Sequence, residues 1–227
     1  MLVKEWMASK PIVVDENTSI MKATQIMKEN NIRRIPVVRD GRLIGIISDR
    51  DIKEAAPSKA TSLDVHELYY LLSEIKIKDI MTPDPITLRE NDSVEKAAVI
   101  MLENRISGMP IVDDDNRVVG IITETDVFKV MVSITGAYRS PIQLAFDMED
   151  RPGSLNKLLN AIREQGGRIV SVLTSHEHMP VGRREVYIRL KEMSDEELDR
   201  LVEFLKRDFK VLFVIKEDLS NIPKKRA

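Results

Sequence analysis

Two stretches of this chain repeat one another, and that repetition constrains the fold more than any other feature. Val3 to Ile52, VKEWMASKPIVVDENTSIMKATQIMKENNIRRIPVVRDGRLIGIISDRDI, can be laid over Ile77 to Val127, IKDIMTPDPITLRENDSVEKAAVIMLENRISGMPIVDDDNRVVGIITETDV. Met7 meets Met81, Pro11 meets Pro85, Glu16-Asn17 meets Glu90-Asn91, and Lys22-Ala23 meets Lys96-Ala97. Ile26-Met27 then meets Ile100-Met101 and Pro36 meets Pro110. After one inserted residue at Asp115, Gly45-Ile46-Ile47 meets Gly120-Ile121-Ile122 and Asp51 meets Asp126.

Each copy reads as strand, helix, strand, strand, helix. Ile12 to Val14 forms a short strand behind a proline, and Thr18-Ser19 opens a helix whose apolar positions Ile20, Ala23, Ile26 and Met27 recur at helical spacing. In the second copy Asp92, followed by Glu95, reads as a capping box, and Val94, Ala97, Ala98 and Met101 repeat the stripe. Ile35 to Val38 and Leu43 to Ile47 are strands joined through Asp40-Gly41, a hairpin signal, and a further helix begins near Asp49. Two such copies imply a pseudo-twofold pair of packed sheets in which any cleft made by one copy recurs in the other. The expected divisions are 1–60 and 77–134 for the copies, with 61–76 as a helical connector striped by Leu63, Leu68, Leu71 and Leu72.

The end of each copy carries the chemistry. Gly45-Ile-Ile-Ser48-Asp49-Arg50-Asp51 and Gly120-Ile-Ile-Thr123-Glu124-Thr125-Asp126 run from a strand into a helix through a hydroxyl residue. Such a corner is expected to leave unpaired amides at the positive end of a helix dipole, which suits a phosphate. Asp51 and Asp126 follow one turn later. An ionised carboxylate only accepts hydrogen bonds, whereas a ribose diol donates two, so the pairing is apt. The same residues also suit plain capping, with Ser48 and Thr123 as N-caps and the acids favouring the helix N-terminus.

These segments resemble CBS motifs, and the pair resembles a Bateman module, over Val3 to about Met131. The resemblance rests on glycine, two apolar residues, Ser or Thr, two variable residues and Asp, present twice. It implies adenine-nucleotide binding, with AMP, ADP, ATP or S-adenosylmethionine as candidate ligands in the clefts. By position it implies ribose contacts for Asp51 and Asp126, both expected to be solvent-accessible, and phosphate contacts for Ser48, Thr123, Arg50 and Arg33. Ser9, Lys10 and Ile12 with Pro36, and Thr82, Pro83, Asp84 and Ile86 with Pro110, would line the adenine pockets. Ser107 stands where the first copy has Arg33, so the clefts should differ in charge.

After Val132 the texture changes. Ile142 to Met148 reads as a strand, Leu155, Leu158, Leu159 and Ile162 as a helical stripe ended by Gly166-Gly167, and Ile169 to Ser175 and Glu185 to Leu190 as strands. Ser194 and Glu197 cap a second helix, and Val211 to Ile215 is the last strand, giving a ferredoxin-like βαββαβ plait over 138–219, an α+β element in an α/β chain, before a basic tail at 220–227. Asp150, Arg151, Pro152, Gly153, Ser154 and Leu155 resemble the Asp-x-Pro-Gly-x-Leu loop of ACT domains, which implies a small metabolite or amino acid there, although the loop also suits a plain turn in a dimerising domain. The order CBS, CBS, ACT, together with His66-Glu-Leu-Tyr-Tyr-Leu-Leu, is similar to AcuB-type acetoin-utilisation proteins.

Composition removes other classes. With 35 basic and 37 acidic side chains and a net charge of -2, nucleic-acid wrapping is not expected. Zero cysteines remove disulfides and thiolate sites and suit a cytoplasmic location, and no apolar run approaches the ~18 residues of a membrane span. His176 and His178 could share a strand face but lack a third metal ligand, so no metal is expected. No nucleophile with a neighbouring base is legible, and no catalytic residue or obligatory cofactor is expected. The expected protein is a homodimeric, non-enzymatic sensor; a nucleotide-free scaffold and a S-adenosylmethionine sensor are the alternatives.

Overall fold

The computed structural model describes residues 1–55, 72–219 and 222–223. The expected connector at 61–76 therefore lies outside the described residues up to 71, as do His66 and most of the basic tail. The chain divides into two compact units, Met1–Phe128 and Lys129–Ala227.

In the first unit, helix α1 (Ile20–Glu29) starts where Ser19 Oγ accepts the Lys22 amide, and it buries Ile20, Ala23 and Met27. Strands β3 (Arg34–Arg39) and β4 (Arg42–Ser48) are joined through Asp40 and Gly41 at φ 50° and 77°, the two left-handed residues a tight hairpin needs. Helix α2 (Asp49–Ala55) follows directly. The second copy repeats this as α3 (Val94–Asn104), β6 (Gly108–Val112), β7 (Val118–Thr123) and α4 (Glu124–Thr135). The capping expectation for α3 is corrected: Ser93, extended at φ −82°, is the cap and accepts the Lys96 amide at 3.1 Å. Asp92 lies one residue too early and instead closes the preceding turn, accepting the Arg89 amide at 2.8 Å.

The arms that lead into each copy are exchanged. Strand β1 (Ala8–Ser9) pairs with β7 of the second copy, Ser9 opposite Gly120, while β5 (Thr82–Pro83) pairs with β4 of the first, Pro83 opposite Gly45. The two sheets run β1-β7-β6 and β2-β3-β4-β5, where β2 (Val14–Asp15) lies parallel to β3. The short helical turns Val3–Glu5 and Ile77–Asp79 obey the same exchange, Val3 N–H donating to Asp92 O and Ile77 N–H to Thr18 O, each at 2.9 Å. The glycines in the strands allow it. A Cβ on Gly45 would lie 2.4 Å from Met81 Sδ, and one on Gly120 would lie 2.3 Å from Met7 Sδ. Each copy thus completes the core of the other, and a single copy would expose both a sheet edge and an apolar face.

The second unit is one four-stranded antiparallel sheet in the order β11-β8-β10-β9, formed by β8 (Ile142–Glu149), β9 (Ile169–Ser175), β10 (Arg183–Leu190) and β11 (Lys210–Lys216). Helices α5 (Ser154–Glu164) and α6 (Asp195–Leu205) pack Leu158, Ile162, Leu198, Leu201 and Leu205 onto Ile142, Leu144, Phe146, Val186 and Ile188. Ser194 and Glu197 cap α6 reciprocally, as the spacing of the two residues predicts. This is the split βαβ plait read from the order of elements.

Candidate functional site

The two corners close in the same way. Ser48 N–H and Oγ–H both donate to Asp51 Oδ2, at 2.8 and 2.7 Å, and Asp51 N–H returns to Ser48 Oγ at 3.3 Å. Thr123 N–H and Oγ1–H donate to Asp126 Oδ2 at 3.0 and 2.7 Å. The next amides are also occupied, Asp49 N–H by Arg33 O at 2.8 Å and Glu124 N–H by Ser107 O at 3.2 Å. The expectation of unpaired corner amides is therefore corrected: these amides have acceptors inside the protein, because an acid three residues after a hydroxyl cap folds back as a capping box. Asp126 is only 8% exposed and Asp51 half-buried, so the expected accessibility of both acids holds for the first alone. What remains at the first corner is Asp51 Oδ1, which accepts no hydrogen bond among the described residues.

The cation at this place is Arg34. It sits on β3 opposite Ser48 in register and extends to the second copy, where its Nη2 donates to Ser107 Oγ. The guanidinium lies over Gly108, the residue equivalent to Arg34 itself, and a Cβ there would be 1.9 Å from Nη1. Nη1 is buried and has no hydrogen-bond partner among the described residues. Burial pushes the Arg34 pKa below the ordinary arginine value, and Glu124 and Asp49 oppose that. A buried guanidinium nitrogen without an acceptor is costly and invites an anion.

The side chains of Arg33 and Arg50 make other contacts. Arg33 lines a hollow of about 450 Å³ between α1 and α2, with Thr24, Met27, Asp49 and Lys53. Arg50 pairs with Glu54 at 2.8 Å and is 83% exposed on the outer side of α2. Arg34 was missed by reading the sequence, yet strand alternation carries the signal: it shares a face of β3 with Pro36, already assigned to the pocket.

The expected adenine segments bridge the copies. Lys10 and Asp84, at equivalent places after the exchanged strands, are both left-handed, at φ 60° and 44°. Non-glycine residues in that conformation cost energy and concentrate at functional sites. Ile12 and Ile86 are 37% and 41% exposed, while Pro36 and Pro110 are buried. In parallel register Val14 pairs with Val37, and Leu88 with Ile111, which places each pairing two residues after Ile12 or Ile86 and one residue after Pro36 or Pro110. Ser9, Thr82 and Pro83 are exposed in the paired strands themselves.

In the second unit, the loop from Asp150 to Leu155 turns at Gly153, φ 83°, into α5. Asp150 faces His176 Nε2 at 3.1 Å and Arg184 Nη1 at 3.3 Å, and Ser154 Oγ lies 2.9 Å from the carbonyl oxygens of Glu149 and Arg151. Leu155 packs against the core, and Pro152 is exposed. Arg151, Ser154 and Lys157 line one side of a hollow of about 720 Å³ with Asp147, Arg183 and Lys210 on the other. Asp147 accepts from Arg183 Nε at 2.6 Å and Lys210 Nζ at 2.8 Å, and these contacts hold its carboxyl below the usual range. Among the described residues no group of three His, Cys, Asp or Glu could hold a metal, and no helix is long and apolar enough to cross a membrane.

The CBS domain family matches residues 3–58 and 77–133. A CBS domain-containing protein of Dictyostelium discoideum is 30% identical over 134 residues, a match spanning 59% of this chain and 92% of that protein. L-aspartate semialdehyde sulfurtransferase of Methanocaldococcus jannaschii is 38% identical over 131 residues, which is 57% of this chain and 23% of the enzyme, so this chain spans a minor part of that relative. Among solved structures, the CBS pair of protein MJ0100 in complex with 5'-methylthioadenosine and S-adenosyl-L-methionine is 35% identical, covering 59% of this chain and 97% of that one at a TM-score of 0.49. CBSX2 in complex with AMP is 30% identical, covering 59% and 97% at 0.48. A Vibrio cholerae protein described as an acetoin utilization protein (AcuB) shares the fold at 23% identity and a TM-score of 0.50, covering 60% and 93%.

Proposed function

This chain belongs to the CBS-domain family, and from that premise we propose that it is a non-catalytic cytoplasmic sensor that binds an adenine nucleotide between its two motifs. The observation that carries the reading is Arg34 Nη1, a buried and unpartnered cationic nitrogen between the two corners. A nucleotide phosphate supplies the missing acceptor. Asp51, and Asp126 in the other cleft, accept from ribose hydroxyls, with Ser48 and Thr123 holding those carboxylates in place. Ile12 with Pro36, and Ile86 with Pro110, offer the apolar walls an adenine ring needs.

Ligand binding across exchanged arms would bias how the two copies sit and so signal to the second unit, or to a partner, by differential affinity for two arrangements. The second unit has the plait order of an ACT domain, and its Asp150 to Leu155 loop is the proposed seat of a small metabolite. A homodimer is part of the same reading. Thermal-shift and calorimetric titration with AMP, ADP, ATP and S-adenosylmethionine tests it: a ligand at a hundred times its Kd stabilises the fold by about 2.7 kcal/mol. No shift with any of them overturns the reading.

One observation favours a second reading. The corner hydrogen bonds are complete without a ligand, as a nucleotide-free scaffold would have them.

A further inference from the structure

The two helices of the second unit cover one face of its sheet, and the other face has a pattern of its own. Along β8 and β10 the core residues Leu144, Phe146, Val186 and Ile188 alternate with side chains that point the opposite way. The registers set those outward positions in rows across β9, β10, β8 and β11, and the middle row is Leu173, Tyr187, Ala145 and Phe213. The Tyr187 and Phe213 rings lie 6.2 Å apart on either side of Ala145, which is fully buried, while Leu173 and Phe213 stay 36% and 38% exposed. An antiparallel sheet that leaves one face to water turns polar residues outward. The middle row here is apolar from edge to edge, as in a docking surface.

The rows on either side carry unpaired charge of opposite sign. One holds Glu185 opposite Asp147, and the other holds Arg189 opposite Gln143. Asp147 is already neutralised by Arg183 and Lys210, at 2.6 and 2.8 Å, so Glu185 is the acid left over in its row. The Glu185 carboxylate accepts from the Tyr187 hydroxyl at 2.5 Å and has no ion-pair partner among the described residues. Arg189 donates to Ser140 O at 2.7 Å and to Gln143 Oε1 at 3.4 Å, and among the described residues it too has no ionic partner. Four residues of extended strand separate the two charges by about 13 Å, too far for them to pair with each other.

This face is complementary to itself. A twofold axis running across the strands at Tyr187 lays the apolar row on its own counterpart, reverses the strand direction, and sets Glu185 of each chain against Arg189 of the other. An axis along the strands would instead oppose like charges. Packed sheets lie about 10 Å apart, a gap that a glutamate and an arginine side chain span together. The charge pattern thus selects both the occupant, a second copy, and its orientation.

We infer that the open sheet face of the second unit docks a second copy of this chain, sheet on sheet with the strands antiparallel. The row of Leu173, Tyr187 and Phe213 supplies the buried contact, and two Glu185–Arg189 pairs fix the register. This rests on the homodimer in the reading above and gives that dimer a surface and an orientation.

Sedimentation equilibrium of the full chain tests the inference with two charge reversals, Glu185→Arg and Arg189→Glu. Each alone sets two like-charge pairs in the interface and should weaken self-association roughly 10- to 100-fold. An equimolar mixture of the two variants restores opposite charges at both places and should recover a dimer with one chain of each kind. Arg189 also holds Ser140 O, so a third variant covers a folding defect there. Leu173→Lys, at a side chain that makes no hydrogen bond, sets a cation against its own counterpart and should weaken the dimer by a similar factor. A dimer of unchanged affinity in Glu185→Arg and Leu173→Lys, or no recovery from a mixture of folded variants, overturns this face while the homodimer stands. A wild-type chain that stays monomeric at every concentration overturns the homodimer itself and leaves the face to a different protein.

Discussion

In the first copy Ser48 Oγ lies 2.7 Å from Asp51 Oδ2, and in the second Thr123 Oγ1 lies the same 2.7 Å from Asp126 Oδ2. Around these matched bonds the surroundings diverge: Arg34 on one side, Gly108 on the other, with Asp51 half-buried and Asp126 8% exposed. Hydrogen bonds that hold a strand-to-helix corner tolerate no loss, since each unsatisfied buried group costs about 1–3 kcal/mol. The comparison teaches that the two copies share the corner hydrogen bonds but not the side chains and burial around them.

The largest effect tests whether the scaffolds are equivalent. Ile47 and Ile122 are both fully buried at matching places, so Ile47→Ala and Ile122→Ala should each destabilise by about 2–5 kcal/mol in urea unfolding. A cost in only one copy would break the equivalence. Next come the acids. Asp126→Ala should cost more stability than Asp51→Ala, within about 1–3 kcal/mol, because it strands the Thr123 donors in a more buried place. Equal Tm values for the two variants would contradict that difference.

A smaller effect sharpens the exchange of arms. Gly120→Ala drives a methyl group into Met7 Sδ, and overpacking of this kind costs about 1–3 kcal/mol, a loss that Met7→Ala should partly recover in the double variant. The same cycle at Gly45 and Met81 should recover less, because the Gly45 Cβ also meets the backbone oxygen of Thr82 at 3.1 Å. Additive losses in both cycles would show that the methionines do not fill these places.

The smallest effect is a pH dependence present in one copy. Asp92 is held below the usual carboxylate range, chiefly by the Arg89 amide and then by Lys96, while its equivalent is Thr18. A lowered folded pKa stabilises above the unfolded value of about 3.9 and is lost as pH falls through the folded one. On acidification the Lys96 amide at the start of α3 should therefore lose exchange protection before the Lys22 amide at the start of α1. Simultaneous loss would contradict this.

Much of the architecture was legible because its signals are local. Asp40-Gly41 declared its hairpin, Ser19 and Ser194 their caps, and the apolar stripes of α5 and α6 the plait. The exchange of arms was not legible, since a repeat shows that β1 and β5 are equivalent without showing which sheet each joins. At the corners the Ser-x-x-Asp spacing suited both a ligand seat and plain capping, and the closed capping box is what the structure shows. Arg34 was not among the residues expected at the site, because motif position was weighed and strand alternation was not. The contact of Arg34 with Ser107 joins residues from different copies, which no local pattern encodes.

The most direct test of the account is a crystal structure of the chain with AMP. The account predicts a phosphate oxygen about 2.7–2.9 Å from Arg34 Nη1, with the Ser48–Asp51 bonds kept. A phosphate held by Ser48 and Arg50 with Arg34 untouched would contradict it.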